Sequence, residues 1–241
     1  MMSRDTPSHG AQAATVAIAV WVKTPGYSPA KTRLAKAMGT PAAETFYGLA
    51  VNVVRELVSD ACRLAPGLFA PYWAVAEGNV DAQGCWSGFP VVAQGEGGLG
   101  ERLAHVYALL EPVHTAVLFI GADSPQLSPE ALVHAGTLLA APDSAPEFVL
   151  GPAADGGFYL FGGRVTLERA AWTGVTYSAS TTMAELVVAL EQKGRVHLLA
   201  TEFDVDTIDE LFLLRDALMR ETGGGSARNA LREWLATVLH P

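Results

Sequence analysis

Two unbroken apolar stretches restrict this chain to few architectures: "TVAIAVWV" (15–22) and "TAVLFIGAD" (115–123). Runs of this kind suit strands buried on both faces, as in parallel sheets covered by helices. Segments with helical spacing separate them. In "PAAETFYGLAVNVVRELVSDA" (41–61) the apolar positions are Phe46, Leu49, Ala50, Val53, Val54, Leu57 and Val58, with Thr40 as the expected N-cap before Pro41. Further helices are expected over 101–111, 128–140, 179–193 and 207–221, and from the "TGGGS" turn to the C-terminus. Shorter strands are expected at "APYWAVA" (70–76), "PVVAQ" (90–94), "EFVLGP" (147–152), "GFYLFGG" (157–163) and 195–203. This alternation predicts a three-layer α/β/α sandwich around a mostly parallel, Rossmann-like sheet. Residues 14–241 are read as one domain behind a disordered tail at 1–13.

Composition removes several classes of function. A net charge of −9 argues against a nucleic-acid surface. No apolar run approaches the ~20 residues needed to span a bilayer. Residues 14–22 lack the basic flank and cleavage site of a signal peptide, so a cytoplasmic protein is expected. Cys62 and Cys85 lack metal-ligand spacing and read as reduced thiols. The six histidines are scattered, and no G-x-S-x-G nucleophile is present.

In such a sheet, ligands gather beyond the carboxyl ends of the strands. After the first strand, "KTPGYSPAKTRLA" concentrates Lys23, Lys31 and Arg33 ahead of a helix, a setting suited to a di- or triphosphate. After the second apolar run, Asp123 can either cap the next helix or hold Mg²⁺, an oxygen-seeking ion that takes few protein ligands. Asp204 and Asp206 follow another strand and share a side if extended. Asp155, Gly156 and Gly157 allow a close approach to a ligand, although Asp155 also suits a simple turn. The segment "QGEGGLGER" spells Gly95-x-Gly97-x-x-Gly100, a dinucleotide fingerprint. It lies about 75 residues beyond the first strand, where that fingerprint belongs. A Rossmann dehydrogenase is therefore a minor reading, as is a non-catalytic module that kept the fold.

Taken together, the motifs "KTPGYSPAKTRL", "QGEGGLGER", "GADSP", "GPAADGGF" and "DVDTIDEL" run in order from about residue 15 to 214. With them the chain resembles the GT-A-type transferases of the nucleotide-diphospho-sugar transferase superfamily. Within it the chain is most similar to a bacterial, DUF2064-like branch of glycosyltransferases, related to the phospholactate and phosphoenolpyruvate guanylyltransferases. Ser28 stands where the branch usually has glycine, and Gly98 where it usually has an acid. The resemblance implies catalytic roles for Asp123, Lys31, Arg33 and Asp155. It implies nucleotide binding by Lys23, Lys31, Arg33, Gln94, Gly100 and Arg102, and substrate contacts from Asp155, Gly156 and Gly157. Mg²⁺ or Mn²⁺ would be held by Asp123, Asp204 and Asp206. The partners implied are a nucleotide or nucleotide-sugar donor and a small-molecule acceptor. Glycosyl transfer is the first expectation; nucleotidylyl transfer to a small phosphorylated substrate is the alternative.

Overall fold

The computed structural model describes residues 15–77, 85–141, 145–221 and 223–239, so the expected tail at 1–13 lies outside the described residues. Seven strands form one sheet: β1 (Val16–Val22), β2 (Phe69–Val75), β3 (Val91–Ala93), β4 (Ala116–Gly121), β5 (Phe148–Pro152), β6 (Phe158–Gly163) and β7 (Val196–Leu198). Their order is β3-β2-β1-β4-β6-β5-β7, and β6 alone among them runs against the rest. The mostly parallel α/β architecture expected from the apolar runs is what the chain adopts.

The central strands show why their sequences do not alternate between apolar and polar. On β1, Val16, Ile18, Val20 and Val22 enter one apolar cluster while Ala17 and Ala19 enter the other. On β4, Leu118 and Ile120 face the first cluster, and Val117 and Phe119 the second. Both faces are dry, so both parities must be apolar. Helices α2 (Thr40–Leu64) and α4 (Pro129–Ala140) cover the first face. Helices α3 (Leu99–Leu110), α5 (Arg169–Thr173) and α6 (Thr182–Glu191) cover the second. Outside α2 lie α1 (Thr32–Met38), α7 (Ile208–Arg220) and α8 (Ser226–Val238), joined through Leu34, Phe46, Leu211, Leu214, Leu231 and Leu235, all fully buried. Helix α2 is thus buried on two sides, which explains why its apolar stripe is broad.

Local chemistry shifted some expected boundaries. Thr40 is the first residue of α2, and Gly39 occupies the cap position with φ 88°. Gly39 also ends α1, so a single glycine in the left-handed region makes the joint between two helices. Thr207 caps α7 and exchanges hydrogen bonds with Glu210, forming a capping box. The strand expected over 195–203 is regular only at Val196–Leu198, followed by an isolated bridge between Ala153 and Glu202. The ladder to its partner β5 covers Phe148–Leu150 only, and β5 ends at Pro152, which has no N–H to offer. Helix α6 begins at Thr182 rather than 179, because Ser178 adopts φ 58° and the Thr182 hydroxyl bonds back to the Thr176 carbonyl. Both cysteines are free thiols. Among the described residues no helix is long and apolar enough to cross a membrane.

Candidate active site

The carboxyl ends of β1, β3, β4 and β5 and the segment after β7 open on one trough. Its larger part, a cavity of ≈ 570 Å³, is lined by Lys23, Lys31, Arg33, Gln94, Arg102, Asp123 and Asp206, with Trp21 and Ser178. It meets a recess of ≈ 330 Å³ at Trp21, Leu99, Asp123 and Ser178. A ≈ 110 Å³ hollow beneath that recess is lined by Asp123, Asp155, Gly157 and Asp204.

The loop after β1 is built to hold Lys31. The Lys23 main chain donates to and accepts from the Tyr47 hydroxyl, at 2.7 and 3.1 Å. Thr24 donates its N–H to Glu77 and accepts from the Trp86 indole. Gly26, with φ 80°, makes the turn. Lys31 then adopts φ 52°, ψ 45° at the cap position of α1, while its carbonyl accepts the first helical bond from Ala35. Lys31 and Ser178 are the non-glycine residues with positive φ among those described, and both line the trough. A left-handed residue costs roughly 1–2 kcal/mol, and strain of this kind collects at functional sites.

That backbone turns the lysine inward, leaving its side chain 3% exposed. Its Nζ lies 2.5 Å from Asp123 Oδ1 and 3.0 Å from Asp206 Oδ1. Burial opposes the ammonium charge most strongly, yet the two carboxylates prevail and hold the Lys31 pKa above its ordinary 10.5. Asp206 also lies 3.8 Å from Arg33 Nη1. The space between Asp123 and Asp206, expected for a metal, is therefore filled by an ammonium group. The two carboxylates come from distant segments, joined where the Val205 N–H donates to the Asp123 carbonyl and Gln126 reaches the Phe203 carbonyl.

Asp204 points to the other side of the trough. Burial, and then the neighbouring Asp155 carboxylate, push its pKa up to about 6. The folded protein thus holds this proton more tightly than the unfolded chain, whose carboxyl titrates near 3.8. Stability contributed at this site is greatest below pH 4 and is lost as pH rises through 6. Asp204→Asn is expected to remove that loss. In thermal melts the variant and parent should agree near pH 4, and the variant should melt about 1–2 °C higher at pH 7.5. Parallel profiles across this range would contradict the assignment.

Asp155 makes the turn its sequence allowed: its Oδ1 accepts the Gly157 N–H at 2.8 Å, and the side chain still lines the recess. Gly156 has φ 91°, and a Cβ there would lie 2.2 Å from the Ser180 carbonyl oxygen, so the turn closes directly on the 176–182 loop. Gln94 is buried, and its amide nitrogen donates to the Val22 and Ala74 carbonyls; it ties β1 to β2 beneath the trough. Arg102 lines the trough with its Nε on the Gly97 carbonyl. Gly100, expected at the nucleotide, does not line the trough and packs tightly as part of α3. A Cβ there would come within 2.7 Å of the Trp172 carbonyl and the Tyr177 ring. The G-x-G-x-x-G spelling therefore serves a turn, with Gly95 and Gly97 at positive φ, and a close helix contact. Gly98 carries no acid, but Glu101 reaches back to accept its N–H.

Sequence reading missed Trp21, Tyr159 and Tyr177, which line the recess. Single aromatics ordinarily signal core, and nothing in their spacing marks them as site residues.

The donor set suits a hard divalent cation. It is all carboxylate, and the crowding of Asp204 by Asp155 is a repulsion that such an ion relieves. Among the described residues, no group of three or more His, Cys, Asp or Glu side chains is arranged to hold a metal unaided. Most of its ligands would have to be phosphate and water oxygens.

Residues 70–179 match the family model "Uncharacterized protein conserved in bacteria (DUF2064)". No curated protein matches the sequence. Among solved structures, a "putative nucleotide-diphospho-sugar transferase" of Desulfovibrio desulfuricans G20 superimposes with TM-score 0.76 at 23% identity, over 92% of this chain and 97% of the other. A cytidylyltransferase of Leptospira borgpetersenii gives 0.54 at 14% identity, over 92% and 94%. The CMP:2-keto-3-deoxy-manno-octonic acid synthetase, solved with CTP, gives 0.50 at 14%, over 87% and 100%. The chain shares the mostly parallel α/β fold of these structures, and its residues 70–179 match the DUF2064 family model.

Proposed function

We propose that this protein is a metal-dependent transferase that takes a nucleotide-sugar or nucleoside triphosphate donor and passes part of it to a small-molecule acceptor. The observation that carries the reading is Lys31, buried in a strained conformation and shared by two carboxylates where the strand ends open on the trough. A lysine held this way is a phosphate ligand kept in place until the phosphate arrives. Lys23, Arg33 and Arg102 line the same cavity and add charge for the rest of a diphosphate. The solved neighbours named as a "putative nucleotide-diphospho-sugar transferase", a cytidylyltransferase and a synthetase complexed with CTP support a nucleotide donor on this fold.

Asp123 and Asp204 would hold Mg²⁺ or Mn²⁺, while Asp206 keeps Lys31 and Arg33 in position. When bound, the ion neutralises charge on the departing phosphate. Lys31 holds the donor oxygens and stabilises the same charge from the protein side. Asp155 faces the acceptor and is placed to take its hydroxyl proton. The protein is proposed to act in the cytoplasm.

Glycosyl and nucleotidylyl transfer share these requirements and differ in the bond broken. Product analysis separates them. The account expects a nucleoside diphosphate from a nucleotide-sugar donor. Inorganic diphosphate released from a triphosphate would assign nucleotidylyl transfer instead. Turnover of neither donor, with metal and a broad acceptor panel, would count against the reading.

A further inference from the structure

The two halves of the trough differ in charge. Lys23, Lys31, Arg33 and Arg102 all line the larger cavity. No lysine, arginine or histidine among the described residues lines the ≈ 330 Å³ recess or the ≈ 110 Å³ hollow beneath it. Those are lined by Asp123, Asp155 and Asp204. Lys31 pairs with Asp123, but Asp155 and Asp204 have no ion-pair partner among the described residues.

The facing wall is apolar and aromatic, formed by Trp21, Leu103, Phe119, Phe158, Tyr159 and Tyr177. The hydroxyls of Tyr159 and Tyr177 donate to the Ala200 and Trp172 carbonyls, at 3.1 and 3.0 Å, so the rings are what these residues offer a ligand. The Trp21 indole N–H is buried without an acceptor, and Trp21 lines both halves. Carboxylates accept from hydroxyls, aromatic faces cover apolar C–H surface, and unpaired carboxylates repel anions.

We infer, building on the proposed nucleotide donor, that this recess receives the acceptor and that the acceptor is an uncharged polyhydroxyl compound with an apolar ring face. A phosphorylated or carboxylated acceptor is excluded. A divalent cation on Asp123 and Asp204 would be ligated by the donor's phosphates and would leave Asp155 unmatched on the acceptor side. This disfavours nucleotidylyl transfer to a small phosphorylated substrate, and it gives Asp155 a neutral hydroxyl to orient.

The inference is tested with two probes that share a phenyl ring, phenyl β-D-glucopyranoside and phenyl phosphate, titrated into the full chain by calorimetry and saturation-transfer NMR. The glucoside is expected to bind, and to weaken at least about tenfold in Tyr177→Ala and in Asp155→Asn, the loss expected for one ionic hydrogen bond or aromatic contact. Asp155 is exposed, so its variant covers the case in which Tyr177→Ala fails to fold. Any phenyl phosphate binding is expected to survive both substitutions and to disappear in Arg33→Ala, since it belongs to the cationic half. Phosphate binding that depends on Tyr177 or Asp155 would overturn the inference, as would absence of glucoside binding. So would preference for phenethylamine over the glucoside by more than about tenfold, the discrimination an ionic contact gives. Nucleotide titrations on the same protein keep the two readings apart. Glucoside binding without nucleotide binding would defeat the donor assignment, and the reverse would defeat only this inference.

Discussion

Lys31→Met is expected to weaken nucleotide binding about a hundredfold, the consequence of removing an ionic partner from a buried phosphate contact. The substitution keeps an unbranched side chain, one atom shorter, and removes the ammonium charge with its donors. It also leaves Asp123 and Asp206 facing each other without the ammonium at 2.5 and 3.0 Å. Stripping one partner from a fully buried pair costs about 3–5 kcal/mol. Here the carboxylates are 50% and 36% exposed and regain water, so a loss of roughly 1–2 kcal/mol is expected. Lys31→Gly should lose nucleotide affinity equally but less stability, because glycine relieves a strain of roughly 1–2 kcal/mol at φ 52°. Calorimetry reads the affinity and urea titration the stability. Unchanged affinity in both variants would remove Lys31 from the site.

Asp123→Asn is expected to lower the rate of donor turnover by about 10²–10³-fold, the usual cost of losing one electrostatic contributor in a preorganised site. Among the described residues, Asp123 is the one that lines all three parts of the trough, and it also pairs with Lys31. Its main-chain carbonyl still anchors Val205 in the variant, so the fold is expected to persist. The diagnostic feature is the metal: the parent rate should rise with Mg²⁺ or Mn²⁺ and the variant rate should be flat. A variant that keeps the parent's metal response would shift the ion to other residues.

The sheet was legible because β1 and β4 are buried on both faces and must be apolar at every position. Lys31, Arg33 and Asp123 stood out as candidates because each follows one of these strands in a chain with few cations, and all three line the trough. What the residues alone could not convey is that Lys31 stands between Asp123 and Asp206, since only the tertiary fold joins positions 175 residues apart. Gly100 has a packing role that stayed hidden for a related reason. Its small size serves contact with Tyr177 and Trp172 across an interface that local spelling does not encode. Trp21 resembled a core residue because most of it is one, packing edge-on against Phe119 while part of it lines the trough.

The most direct test of the central claim is calorimetric titration of the full chain with nucleoside triphosphates and nucleotide sugars, each with and without Mg²⁺, alongside NAD. The account predicts that at least one mononucleotide donor binds, that Mg²⁺ strengthens the binding, that Lys31→Met weakens it about a hundredfold, and that NAD does not bind. Binding of NAD in preference to every mononucleotide, or a nucleotide affinity indifferent to both Mg²⁺ and Lys31, would contradict it.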